Sequence, residues 1–289
     1  MKYLIIILIG FIFTAPTEAA FTAKKQKALG EKIAIITAAN RDKVGYVFFD
    51  AKTGLGLQLN GTREFPAASV AKVAVMAAAY SLSDRGLLDL NQKIKFRESD
   101  KLGGSGVLQW MKAGKEYSLW NLIRMMIVLS DNTATKMVVD AIGMDEINQY
   151  LRAQKLNSTS IIDPTMLCES PSKNINLTSP YDMALIMLRI KKGQGFSSGA
   201  IKDMLSFLKN QRYRWGIWRG VPRGVKVADK TGNLEGILND VGIVYTKYGD
   251  YILSIFTSGF KKQRDARIMI NELSKATYEE YTGETIKRR

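Results

Sequence analysis

The sequence predicts an α+β fold: one antiparallel sheet built from strands near the N- and C-terminal ends, flanked by helices, with an all-helical lobe inserted between them. Three observations predict it. Strand-like runs rich in β-branched and aromatic residues lie near the two ends, at residues 44–60 and 225–257. The stretch between them reads almost entirely as helices. Neither an internal repeat nor a low-complexity linker divides the chain.

The elements follow in order. Residues 24–40 have an amphipathic helical pattern interrupted only by Gly30. Residues 44–49 form a strand, Asp50-Ala51-Lys52-Thr53-Gly54 a turn, and residues 55–60 the returning strand of a hairpin. A loop becomes a helix at Ser69; the run that follows is alanine-rich, without glycine or proline, and reads as buried until Asp84-Arg85-Gly86. Leu102-Gly103-Gly104-Ser105-Gly106 is a loop. Ser118 caps a helix that ends near Leu129, and Ser130-Asp131-Asn132 breaks it before helices at 133–142 and 145–154. Residues 157–180 are polar and irregular, and helices follow at 181–192 and 198–210. From Gly224 the texture changes to strands at 225–232, 239–246 and 251–257, the last two joined by Lys247-Tyr248-Gly249-Asp250, and a helix at 264–281 closes the chain.

The first residues are expected to stand outside this fold. Lys2, a short apolar run over 3–13 and the small-residue zone Thr14-Ala15-Pro16-Thr17-Glu18-Ala19-Ala20 read as a secretory signal cleaved after Ala19 or one residue later. An uncleaved anchor is the competing reading, but the run is too short to span a bilayer comfortably. No cysteine follows to carry a lipid. The expected division is therefore a signal peptide at 1–19 and a single domain at 20–289, with an α/β lobe (20–65 and 223–289) and a helical lobe (66–222). An exported location follows, periplasmic or secreted, with no stable membrane anchor after cleavage.

Net charge is +15, spread along the chain with no dense basic run except Lys287-Arg288-Arg289. A solvated basic surface, or contact with an anionic cell envelope, is expected rather than a nucleic-acid partner. The single cysteine, Cys168, allows no intrachain disulfide. The chain has no histidine at all, which excludes Ser-His-Asp and Cys-His chemistry and any histidine-ligated zinc. A hydrolase built from this chain must take its base from lysine or a carboxylate.

Three short motifs stand in a fixed order. Ser69 and Lys72 lie one helical turn apart, on one face, at the positive end of a helix dipole. Ser130-Asp131-Asn132 sits between two helices, and Lys230-Thr231-Gly232 sits on a strand. Singly, each reads equally as a helix cap, a capping cluster or a strand end. Together they make the chain resemble class A β-lactamases and their penicillin-binding relatives, over essentially its whole length after the signal. Gly104-Ser105-Gly106-Val107-Leu108-Gln109, Thr178-Ser179-Pro180 and Asn239-Asp240 add to the resemblance.

The resemblance implies a β-lactamase/transpeptidase-like fold and a set of roles. Ser69 is the nucleophile, and Lys72 takes its proton if burial and nearby cations lower the amine's pKa. Ser130 relays a proton to the leaving nitrogen, and Lys230 adds positive charge near Ser130 and the substrate carboxylate. Asn132 holds the substrate's amide side chain, Thr231 its carboxylate, and Gly232 belongs to the same substrate-lining strand. The backbone N–H groups of Ser69 and Asn233 form the oxyanion hole. Release of the acyl group is expected from a carboxylate on the loop at Asp163, in Asp163-Pro164, where the family has Glu-Pro. Leu167 stands where the family's water-holding Asn belongs, Ile161 replaces a loop-anchoring Arg, and Asn176 stands opposite in place of Asp. Glu169 is a second candidate, and Asp163 as the mere start of a turn stays open. Arg264 is expected either to meet the substrate carboxylate or to be a solvated helix start, and Cys168 to be a packing residue.

The expected function is that of an exported serine hydrolase forming a Ser69 acyl-enzyme and hydrolysing β-lactams. A penicillin-binding D-alanyl-D-alanine peptidase and a non-catalytic module that binds or senses cell-wall fragments are the alternatives. The expected partner is a small-molecule β-lactam or a peptidoglycan stem peptide, met by a monomer with no metal and no organic cofactor.

Overall fold

A computed structural model describes residues 21–165 and 175–286. The expected signal at 1–19, the loop residues Leu167, Cys168 and Glu169, and the tail Lys287-Arg288-Arg289 lie outside the described residues. The strands are β1 Val44–Asp50, β2 Gly56–Leu59, β3 Phe65–Pro66, β4 Lys93–Lys95, β5 Glu116–Ser118, β6 Leu177–Thr178, β7 Lys226–Leu234, β8 Ile237–Thr246 and β9 Gly249–Ser258. The helices are α1 Ala23–Thr37, α2 Ala71–Asp84, α3 Leu119–Val128, α4 Asn132–Ile142, α5 Met144–Ala153, α6 Pro180–Lys192, α7 Ser198–Lys209 and α8 Gln263–Thr282.

The chain is α+β, with a five-stranded antiparallel sheet of order β2-β1-β9-β8-β7. Pairing of β1 with β9, Val44 opposite Thr257 through Asp50 opposite Tyr251, joins the two ends of the sequence at the middle of the sheet. Strand alternation sorts the side chains between two cores. Tyr46, Phe48, Leu253 and Ile255 pack with Leu29 and Ile33 of α1 and Ile270 and Leu273 of α8. Val47, Val241, Ile243, Ile252 and Phe256 face the other way, into the core shared with α2, α6 and the remaining helices.

Helix α2 is the axis of that second core. Every residue from Ala71 to Tyr80 is buried, which the alanine-rich, breaker-free sequence permits by letting neighbouring helices approach from all sides. The α-helix begins two residues later than the sequence suggests: Ala68–Val70 is a 3-10 turn, and α2 starts at Ala71. Ala68 is left-handed (φ 48°), which breaks the helical path just before Ser69.

The other boundaries follow from local chemistry. Ser118 caps α3 by accepting from the Asn121 N–H, and Ser179, followed by Pro180, caps α6 by accepting from the Asp182 N–H. The short pairs β3–β6 and β4–β5 were not foreseen, since two or three residues are too few to show a period. β3 matters here because Phe65 opposite Thr178 ties the segment entering Ser69 to the irregular 157–180 stretch. Among the described residues no helix is long and apolar enough to cross a membrane.

Gly45 marks the tightest contact between the sheet and α6. A Cβ there would lie 2.6 Å from Pro180 Cγ and 2.8 Å from Phe65 Cε2. Gly45→Ala should therefore destabilise the fold by about 1–3 kcal/mol through overpacking, read as a lowered urea midpoint with an unchanged slope.

Candidate active site

Ser69 sits half-buried on the 3-10 turn at the start of α2. Four non-glycine residues have left-handed backbones among the described residues, and two of them, Ala68 and Ser130 (φ 51°), belong to this site. Such conformations persist where the surroundings over-determine them. At Ala68 the surroundings are supplied by the sheet. Asn239 of β8 donates through Nδ2 to Pro66 O (2.9 Å) and Ala67 O (3.2 Å), and Asn176 O accepts from Ala67 N (2.8 Å). Strand β7 is the sheet edge and borders this turn. A Cβ at Gly232 would lie 3.0 Å from Ala68 Cβ and 3.2 Å from Ser69 N, so only glycine lets the strand come this close.

Ser130 is the meeting point. It lies between α3 and α4, and its backbone turn brings its carbonyl and its hydroxyl to the same amine. Lys72 Nζ donates to Ser130 O (2.7 Å), to Ser130 Oγ (3.2 Å) and to Asn132 Oδ1 (2.8 Å). Lys230 Nζ donates to the same Ser130 Oγ (3.0 Å) and to Thr231 O (2.8 Å). Both lysines are fully buried. Burial pushes the Lys72 amine well below its ordinary range, the Lys230 charge pushes it further, and Asp131 opposes the shift. Burial likewise lowers Lys230 to about 7, against the opposing pull of Asp229 and Asp240.

Asp131 does not face the cavity; it holds the loops that do. Its Oδ1 accepts from Ala134 N (2.9 Å), capping α4, and its Oδ2 accepts from Val107 N (2.6 Å) and Leu108 N (2.9 Å). Gly106, at φ +106°, leaves room for this carboxylate: a Cβ there would lie 2.3 Å from it. Asn132 completes the link, donating its backbone N–H to Ser105 O (3.0 Å) and Nδ2 to Gly103 O (3.0 Å).

A cavity of about 100 Å³ opens over these groups, lined by Ser69, Ser105, Ser130, Tyr213, Trp215, Thr231 and Asn233. The structure thus brings together Ser69, Ser130, Thr231 and Asn233 at the cavity, with Lys72, Asn132, Lys230 and Gly232 directly behind. It does not bring Asp163 or Arg264 to that lining. Asp163 is turned onto its own loop: Thr165 N donates to Oδ1 (2.8 Å), and Thr165 Oγ1 reaches Oδ1 (2.7 Å) and Oδ2 (2.8 Å). The Asn176 side chain fixes the backbone of that loop: its Oδ1 accepts from Ile162 N (2.7 Å) and Asp163 N (2.9 Å), and its Nδ2 donates to Asp163 O (2.8 Å). Arg264 is exposed, with its Nε 3.4 Å from Asp265 Oδ1; its neighbour Gln263 is the residue that reaches Asn233, at 2.9 Å.

Tyr213 and Trp215 of the cavity wall, and Gln211 and Arg214 that hold them, were not singled out in the sequence. They lie in a segment without periodicity or a charged motif, and only the fold brings it beside β7. Among the described residues no group of His, Cys, Asp and Glu could hold a metal ion. What the arrangement can do chemically is pass a proton between a hydroxyl and two buried amines, next to a second hydroxyl at a helix start.

Residues 28–281 match the family described as the beta-lactamase enzyme family. Beta-lactamase L2 of Stenotrophomonas maltophilia is 26% identical over 241 residues, spanning 82% of this chain and 77% of that protein. The fold is similar to the crystal structure of a beta-lactamase from Sphaerobacter thermophilus, with a TM-score of 0.81 and 29% identity over 89% of this chain and 97% of that one. It is similar too to a mutant of PBP-A held as an acyl-enzyme complex with penicillin G, with a TM-score of 0.82 and 26% identity over 89% and 97% of the two chains.

Removing Asp131 tests how the site is held. Asp131→Ala strands three backbone donors at once and should cost about 2–4 kcal/mol, measured by urea unfolding, while Asp131→Asn should recover part of the loss.

Proposed function

The chain belongs to the beta-lactamase enzyme family, and from that premise we propose that it opens β-lactams on Ser69 and hydrolyses the resulting acyl-enzyme. The observation that carries the reading is the Ser130 hydroxyl held at once by the Lys72 and Lys230 amines at the mouth of the Ser69 cavity. In this reading neutral Lys72 takes the Ser69 proton as Oγ adds to the lactam carbonyl. The oxyanion accepts from the backbone N–H groups of Ser69 and Asn233, whose preorganised dipoles stabilise it. The ring C–N bond then breaks, and the Ser130 hydroxyl gives its proton to the departing nitrogen and is refilled from the amines behind it. Thr231 and the Lys230 ammonium hold the substrate carboxylate, and Asn132 its amide side chain. Water finally cleaves the ester and frees Ser69. The substrate is a small molecule met outside the cytoplasm, in keeping with the export signal read at residues 1–19.

A specific observation favours a second reading for the last step. The Asp163 carboxylate is already occupied by Thr165. With Asp163 held by Thr165 rather than by water, release of the acyl group is slow in this reading, as in a penicillin-binding D-alanyl-D-alanine peptidase acting on peptidoglycan stem peptides. Asp163→Asn decides how far this goes. If Asp163 only shapes its turn, breakdown of the acyl-enzyme should change less than about threefold; a loss of 100-fold or more, about 3 kcal/mol of barrier, would make it the water-activating base.

Turnover of a chromogenic β-lactam tests the main reading. Ser69→Ala should lose at least about 1,000-fold of kcat/KM, and equal activity in the variant would overturn the assignment. The pH profile should carry two limbs. Activity rises as Lys72 sheds its proton, and falls as pH passes about 7 and the Lys230 ammonium is lost. Lys230→Arg keeps its charge at every accessible pH, so the falling limb should move out of range in that variant.

A further inference from the structure

The Ser69 chemistry leaves unused a basic surface that borders its cavity. Residues 211–226 hold Arg212, Arg214, Arg219, Arg223 and Lys226 and no acidic residue, and residues 261–267 add Lys261, Lys262, Arg264 and Arg267 against Asp265 alone. Arg214 faces the buried Asp229 at 3.4 Å, and the other cations are exposed. The two stretches lie side by side. Gln263, at the start of α8, reaches Asn233 at the cavity, and the Arg267 guanidinium stands over the Trp215 ring at 5.6 Å. Further along, Ser274 Oγ donates to Ile217 O (2.8 Å), and a Cβ at Gly220 would lie 2.4 Å from Ser274 Cβ. The 215–220 turn therefore runs alongside α8 in the same direction, starting from the cavity wall.

Apolar groups are interleaved with these cations. Trp215 and Trp218 pack on the core between the sheet and α8, yet each keeps part of its surface in solvent. Arg219 stands over the Trp218 ring at 5.6 Å, as Arg267 does over Trp215. On α8 the residues Arg264, Arg267, Ile268 and Asn271 follow the spacing of one helix face, and Ile268 is 46% exposed. The acidic residues on or next to these segments are Asp265, which lies 3.4 Å from Arg264 Nε, and the exposed Glu235 and Glu272. They leave the face strongly positive.

We propose that the face formed by the 215–223 segment and the first turns of α8 is a docking surface for the anionic headgroups of a lipid bilayer. It goes beyond the Ser69 chemistry and does not depend on it. Guanidinium forks match the oxygens of a phosphodiester. Indole rings with an apolar body and a polar edge settle at headgroup depth. A basic face with a few apolar side chains lies on a membrane rather than crossing it, and among the described residues no helix is long and apolar enough to cross. The interleaving selects the lipid surface over a soluble polyanion, which would need the charges but not Trp215, Trp218 and Ile268. Contact is reversible, since the apolar groups are few and half-buried.

Vesicle sedimentation tests the proposal. At low salt the protein should bind vesicles of phosphatidylglycerol and phosphatidylcholine at least about 100-fold more tightly than phosphatidylcholine alone, and lose the preference at high salt. A triple variant, Arg219→Gln with Arg223→Gln and Arg267→Gln, should bind about 100-fold more weakly, about fivefold for each arginine. Lys93, Lys95 and Lys112 are exposed lysines of the helical lobe. Changing those three to Gln removes the same charge and should alter binding less than about threefold. Equal losses in the two triple variants would overturn the proposal, because net charge alone would then explain binding. Vesicles with brominated acyl chains read the contact without any charge change. They should quench the tryptophan emission of the wild-type protein, and Trp218→Phe should lose quenching that Trp110→Phe retains, although Trp110 is 83% exposed. The reverse pattern would overturn the proposal, and so would tight binding of soluble polyphosphate by wild-type protein that brominated vesicles do not quench.

Discussion

Two buried lysine amines converge on one hydroxyl, and the rest of this structure is arranged to make that tolerable. Lys72 and Lys230 both donate to Ser130 Oγ, at 3.2 and 3.0 Å. Bringing like charges out of water is costly twice over, once for desolvation and once for their repulsion. The compensation is spread around them: the Ser130 and Thr231 carbonyls, the Asn132 amide oxygen, the Asp131 carboxylate near Lys72, and the Asp229 and Asp240 carboxyls near Lys230. The residual strain emerges as depressed amine pKa values, which is the property a proton-transferring lysine needs.

The architecture serves this arrangement through three ties rather than through bulk. The Asn239 amide binds the segment before Ser69 to the sheet. Asp131 binds the Gly104–Leu108 loop to the start of α4, which aims Asn132 at Lys72. Asp229 and Asp240 bind the 211–217 segment to the edge of the sheet. Each tie is made by a polar side chain, most often to backbone and at Asp229 to the Gln211 side chain, and each joins separate segments of the chain. The cavity is consequently a product of tertiary structure, with no single element owning it.

This explains what could be read from the sequence and what could not. The sheet made of both chain ends and the helical middle were legible because hydrophobic period and capping residues encode them, whereas the residues around Ser69, Ser130 and Lys230 stood out only through the resemblance that their three short motifs make together. The start of α2 was read two residues early, since the left-handed Ala68 leaves no mark in composition. Tyr213, Trp215 and Gln211 were illegible because their importance comes from the partner strand, not from their own pattern. Asp163 was legible as a carboxylate near the right place, but its direction depends on Thr165 two residues on and on Asn176 across the loop. Orientation of a short acidic side chain is decided by neighbours that compete for it.

The central claim is that the amine pair around Ser130 makes Ser69 a nucleophile that β-lactams acylate. Intact mass of the protein, followed through time after mixing with benzylpenicillin, tests it most directly. The account predicts a gain equal to one whole penicillin molecule, located on the peptide that contains Ser69, appearing early and then decaying as penicilloate is released. Well-folded protein that gains no mass at any time, or gains it on a peptide without Ser69, would contradict it.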